Sequence, residues 1–137
     1  MLRVLYAFIA VMTLASVAQG AAAEDLYKGK NIRIVVGFSA GGGFDTYART
    51  IARHLGKHIP GDPSVVVENM TGAGSLIAAN HVFRVAKPYG LTIGHFIGGL
   101  FLGQVLGQPS IEFDARKFEY IGAPISDGPA GVRSGLS

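Results

Sequence analysis

Three consecutive glycines, Gly41, Gly42 and Gly43, stand between the β-branched run Asn31–Val36 and a segment of helical periodicity that opens at Phe44. Glycines at that junction expose backbone N–H groups with no Cβ in the way. The helix start adds its own unpaired N–H groups and the positive end of its dipole. Ser39, Ala40 and the three glycines therefore form a place suited to an anion. Asp45, in the first helical turn, is expected to cap those N–H groups. A second loop, Asn69-Met70-Thr71-Gly72-Ala73-Gly74-Ser75, repeats the design after the run Ser64–Glu68. Thr71 and Ser75 bring hydroxyls, Gly72 and Gly74 open the backbone around Ala73, and Asn69 either orients a ligand or caps the turn.

Other chemistries compete for the same residues. Gly37-Phe38-Ser39-Ala40-Gly41 matches G-x-S-x-G, the nucleophile elbow of α/β-hydrolases. A triad built on Ser39 would draw its acid and base from Asp114, Asp127, His81 and His95. Against it, the serine follows the first strand of the sequence, not a central one. Neither G-x-G-x-x-G nor a P-loop is present, which excludes the common nucleotide fingerprints. His54 and His58 have the i, i+4 spacing of a chelating pair, but no third ligand accompanies them, so they read as exposed helix residues. His95 lies near the end of a strand at the same edge as the two loops, where it is placed to contact a ligand, but it reads first as a packed strand histidine. No metal and no cofactor is expected. With no cysteine in 137 residues, thiol catalysis and Cys-ligated metals are excluded.

The elements that must position the loops alternate between strand and helix. Asn31–Val36, Ser64–Glu68 and Leu91–Ile97 read as strands, with a further short strand at Glu119–Ile121. Helices are expected from Phe44 to Ile59, from Leu76 to Ala86 and around Leu100–Leu106. In the first, Phe44, Tyr47, Ala48, Ile51, Ala52, Leu55 and Ile59 form the apolar face, and Pro60-Gly61-Asp62-Pro63 ends it. This order is that of right-handed βαβ units in a parallel sheet covered by helices on both faces, an α/β fold. Adjacent parallel strands bring both loops to one edge, where open α/β sheets bind ligands.

At the front, Arg3 precedes an apolar run from Val4 to Leu14, followed by small residues as far as Ala23. That is the pattern of a cleavable signal peptide over 1–23, rather than a retained membrane anchor. Its removal takes away one basic residue and lowers the formal charge from +3 to about +2. The remaining basic residues are scattered, without the stripe that marks a nucleic-acid partner.

Taken together these segments resemble the substrate-binding proteins of the tripartite tricarboxylate transporter family, the Bug-type periplasmic receptors. Phe38-Ser39-Ala40-Gly41-Gly42-Gly43-Phe44-Asp45 followed by Thr46-Tyr47-Ala48-Arg49 is similar to the family's glycine turn and Ala-Arg helix. Val65-Val66-Val67-Glu68-Asn69 leading to Gly72-Ala73-Gly74 is similar to its second strand and loop. Lys87-Pro88-Tyr89-Gly90-Leu91-Thr92 and the stretch Phe113–Gly122 complete the match, which spans about residues 27–125. Ser39 and Ala40 replace two prolines, Met70-Thr71 replaces Arg-Pro, Ser75 replaces a glycine and Tyr89 an aspartate.

The resemblance implies a periplasmic-binding-protein type II-like fold of two lobes joined by hinge strands. Residues 24–125 would be part of the first lobe and 126–137 the beginning of the hinge, in a chain that stops short of the second lobe. It also implies a non-enzymatic receptor that captures a small organic acid for membrane transporter subunits. By position, the ligand would be held by Ser39, Ala40, Gly41, Gly42, Gly43 and Asp45, together with Asn69, Thr71, Gly72, Ala73, Gly74 and Ser75. The alternatives are a serine hydrolase using Ser39 and a truncated product without function.

Overall fold

A computed structural model describes residues 26–124 of the chain. The proposed signal peptide and the segment 126–137 lie outside these residues. Three parallel strands form one sheet: β1 (Asn31–Val36), β2 (Ser64–Asn69) and β3 (Thr92–His95), in the order β2-β1-β3. Helix α1 (Gly43–Leu55) connects β1 to β2, α2 (Leu76–Val85) connects β2 to β3, and α3 (Gly99–Val105) follows. The α/β reading of the sequence agrees with this architecture.

The first strand becomes the centre of the sheet because both neighbours pair with it. Ile34 lies opposite Val67 on one side and Ile93 on the other. Ile32, Ile34, Val35 and Val36 are all buried, so residues of both parities are shielded, as a strand covered on both faces requires. Each contributes about 1.5–3 kcal/mol of apolar burial. Ile34 and Val36 pack on Ala48 of α1, while α2, with Ala78 and Ala79 fully buried, packs against β3 and β1.

The edge strand β2 alternates instead: Val65 and Val67 join the α1 side, and Val66 remains 44% exposed. Arg33 meets Glu68 through two bonds, 2.8 and 2.5 Å, across β1 and β2. That fork holds the Glu68 carboxyl below its usual range against the opposing effect of burial.

Several sequence expectations shift. The first helix ends at Leu55, not Ile59, and Gly56–His58 tighten into a 3₁₀ turn. A Cβ at Gly56 would lie 2.4 Å from the Pro63 carbonyl oxygen, so the chain folds back there as only glycine permits. His54 and His58 consequently do not share one regular helix. The apolar face of α1 is narrower than expected: Phe44, Ala48, Ala52 and Leu55 turn inward, while Tyr47 and Ile51 stay about two-fifths exposed.

The third strand is shorter than Leu91–Ile97, and no strand forms at Glu119–Ile121. There the chain is pinned differently. Phe118 packs on Phe83, Phe96 and Phe113 at 5.7–6.0 Å between ring centres, and the Tyr120 hydroxyl donates to the Ala115 carbonyl at 2.8 Å. Ile121 is left 80% exposed.

Candidate functional site

The loop after β1 is tied down by a carboxylate. Gly41 adopts φ +82° and donates its N–H to Asp45 Oδ2 at 2.8 Å. Asp45 thus reaches back to the loop, and does not cap the first-turn N–H groups of α1 as the sequence suggested. Gly42 donates to the Ser39 carbonyl at 3.3 Å, and the first helical bond runs from Thr46 N–H to the Gly42 carbonyl at 2.9 Å. The N–H groups of Gly43, Phe44 and Asp45 have no hydrogen-bond partner among the described residues. As the first N–H groups of a helix they are open to water or to an anion.

Asp45 is 2% exposed, yet its charge is answered on every side. Arg49, one turn along α1, donates Nε to Oδ2 at 2.8 Å, and Asn69 at the end of β2 donates Nδ2 to Oδ1 at 2.9 Å. The Arg49 bond, the Gly41 N–H and the Asn69 amide, in that order, hold the carboxyl well below the usual carboxylate range against desolvation. The Arg49 guanidinium is correspondingly raised. The carboxylate charge is therefore already paired within the protein.

Asn69 does more than either role weighed for it. The amide nitrogen also donates to the Phe38 carbonyl at 2.9 Å, and Oδ1 accepts from Arg49 Nη2 at 3.1 Å. One side chain so joins the β1 loop, α1 and β2. Its hydrogen-bonding capacity is used within the protein, which makes it a positioning residue.

The second loop is built by torsion. Gly72, Ala73, Gly74 and Ser75 all have positive φ, at 135°, 46°, 59° and 75°. For Ala73 and Ser75 this is a disfavoured left-handed conformation. Gly72 is required where it stands, since a Cβ would lie 2.4 Å from Ile77 Cδ1. Ser75 is completely buried, its hydroxyl has no hydrogen-bond partner, and it offers no cap to α2. It lies directly against Gly37, where a Cβ would come within 2.4 Å of the Ser75 Cβ. The two loops are thus in contact at Gly37 and Ser75 and bridged at Phe38 and Asn69. Thr71 and Ala73 are exposed at the rim, as are Ser39, Ala40 and Gly41–Gly43.

Sequence reasoning missed Arg49 and the pair Phe38–Phe44. Arg49 sits four residues after Asp45, the spacing of a helical ion pair, and that signal was legible. Phe38 and Phe44 stack at 4.2 Å across the loop, and nothing local marks that contact. The Ser39 hydroxyl bonds to no histidine or carboxylate among the described residues, so no triad is assembled around it. The described residues also contain no group of three or more His, Cys, Asp or Glu that could hold a metal ion.

No family model matches the chain. A UPF0065 protein in the TAR-I ttuE-ttuC' intergenic region of Agrobacterium vitis is 39% identical over 84 residues. That stretch is 61% of this chain but 23% of the relative's length. The chain thus spans about a quarter of the curated relative it matches.

Proposed function

We propose that the chain is the ligand-holding part of an extracytoplasmic solute-binding receptor that captures a small organic carboxylate for a tripartite tricarboxylate-type transporter. The observation that carries this reading is the row of unpartnered N–H groups on Gly43, Phe44 and Asp45, at the start of a helix whose nearest carboxylate is already paired with Arg49. Similarity to a UPF0065 protein supports the same family, whose fold would place these loops in the first of two lobes. Residues 1–23 would be the export signal, 24–125 part of that lobe and 126–137 the approach to the hinge. The protein acts by binding, not by catalysis. Ser39, Ala40, Gly41–Gly43 and Thr71–Ser75 line the site, while Asp45 and Asn69 shape it.

The test is titration of the ¹⁵N-labelled protein with succinate and with citrate, followed by amide shifts. Saturable shifts at Gly43, Phe44 and Asp45 are expected. Unchanged amides at these positions with both acids would overturn the reading. Ester turnover that disappears in Ser39→Ala would replace it with a hydrolase.

A further inference from the structure

Asp45 belongs to the first turn of α1, and its carboxylate reaches back to Gly41. A negative charge therefore sits beside the open N–H groups of Gly43, Phe44 and Asp45 itself. Left alone, that charge would occupy the positive end of the helix dipole and repel any anion approaching it.

The structure answers the charge from one residue. Arg49 Nε donates to Asp45 Oδ2 at 2.8 Å, and Arg49 Nη2 donates to Asn69 Oδ1 at 3.1 Å. The Gly41 N–H reaches the same Oδ2 at 2.8 Å, and the Asn69 amide reaches Oδ1 at 2.9 Å. Of these three partners of the carboxylate, Arg49 is the one that carries a charge. The pair is unequal in exposure, with 3% for the Asp45 side chain and 48% for that of Arg49. Arg49 thus neutralises a buried charge while keeping much of its own hydration, which limits the desolvation cost of the pair. The order along the helix, acid four residues before base, is the favourable one. The second bond, to Asn69, fixes the guanidinium against the end of β2, so the cation stays with Asp45.

Resting on the carboxylate-receptor reading, we propose that Arg49 is a positioning residue of the same site, whose guanidinium cancels the Asp45 charge so that the start of α1 keeps its attraction for a carboxylate. Arg49 does this without touching the ligand. Gly41 and Asn69 hold the shape of the loop, and Arg49 sets its charge.

The experiment is calorimetry of succinate binding at pH 7 with four forms of the protein. Arg49→Gln should bind about tenfold more weakly than the wild type, as an unpaired unit charge roughly 6 Å from the ligand implies in a half-exposed site. Arg49→Lys keeps the charge without the planar fork and should recover most of that loss. Asp45→Asn combined with Arg49→Gln removes both charges and keeps an acceptor oxygen for the Gly41 N–H. It should bind more tightly than Arg49→Gln alone, which a purely structural role would not produce, since the double variant has lost still more of the native bonding. Unchanged affinity in Arg49→Gln overturns the role of Arg49 and leaves the carboxylate reading intact. So does a double variant no tighter than Arg49→Gln, or a lysine variant as weak as the glutamine one. A wild-type protein that binds neither succinate nor citrate overturns both.

Discussion

The two glycine-bearing loops that meet at the carboxyl edge of the sheet are held by opposite means. The loop after β1 is fixed by hydrogen bonds: Gly41, Asp45, Arg49, Asn69 and Phe38 form one connected set. The loop after β2 is fixed by shape, with four successive positive φ angles and a buried serine wedged against Gly37. A hydrogen-bonded loop depends on particular side chains and on their protonation. A wedged loop depends on volume and chirality and ignores pH. Similar sequence patterns thus reach one crevice through different physics.

The largest expected effect comes from pressing on the contact between the loops. Gly37→Ala places a Cβ against Ser75, including its backbone Cα at 2.9 Å, and should cost about 1–3 kcal/mol of stability. Ser75→Gly, made alone, should gain about 1 kcal/mol by releasing a left-handed residue. Made together, the two should recover most of the Gly37→Ala loss. Urea denaturation of both single variants and the double variant gives the coupling; simple additivity would mean that the wedge is not what joins the loops.

Next in size, Asn69→Ala strips the bonds to Phe38, Asp45 and Arg49. A loss of about 1–2 kcal/mol is expected, with faster amide exchange at Gly41 and little change in the loop after β2. Equal acceleration in both loops would contradict the separation drawn above.

The smallest effect is that of acid. A carboxyl depressed in the folded state stabilises the fold above its unfolded value of about 3.9 and loses that contribution as the pH falls below it. Exchange at Gly41 should therefore rise below about pH 4, whereas Ser75 and its neighbours should not respond. Hydrogen exchange read residue by residue at pH 3 and pH 6 checks this.

The strands, the two long helices and both loops were legible in the sequence because each is a local pattern: β-branched runs, helical spacing and glycine punctuation. The bounds of α1 were not, since its end is set by the approach of Gly56 to Pro63, which are seven residues apart. The expected strand at Glu119–Ile121 failed for a related reason. Phe118 finds a better place among Phe83, Phe96 and Phe113 than a short run can find at a sheet edge. Within the site, Asp45 stood out from its position, but the carbonyl that Asn69 grips lies 31 residues away and depends on strand register. The strain at Ser75 was equally hidden, because serine does not announce a left-handed turn as glycine does.

The central place of β1 has a consequence for the nascent chain. This most apolar strand is synthesised before either of its partners, and β2 follows only after the whole of α1 has been made. During that interval the segment Ile32–Val36 has all its inter-strand backbone groups unsatisfied and no covering helix on the α2 side. It is then the part of the molecule most open to pairing with another chain or to capture by a chaperone. Arg33, whose carboxylate partner arrives only with β2, keeps a charge in the middle of that run until the sheet closes.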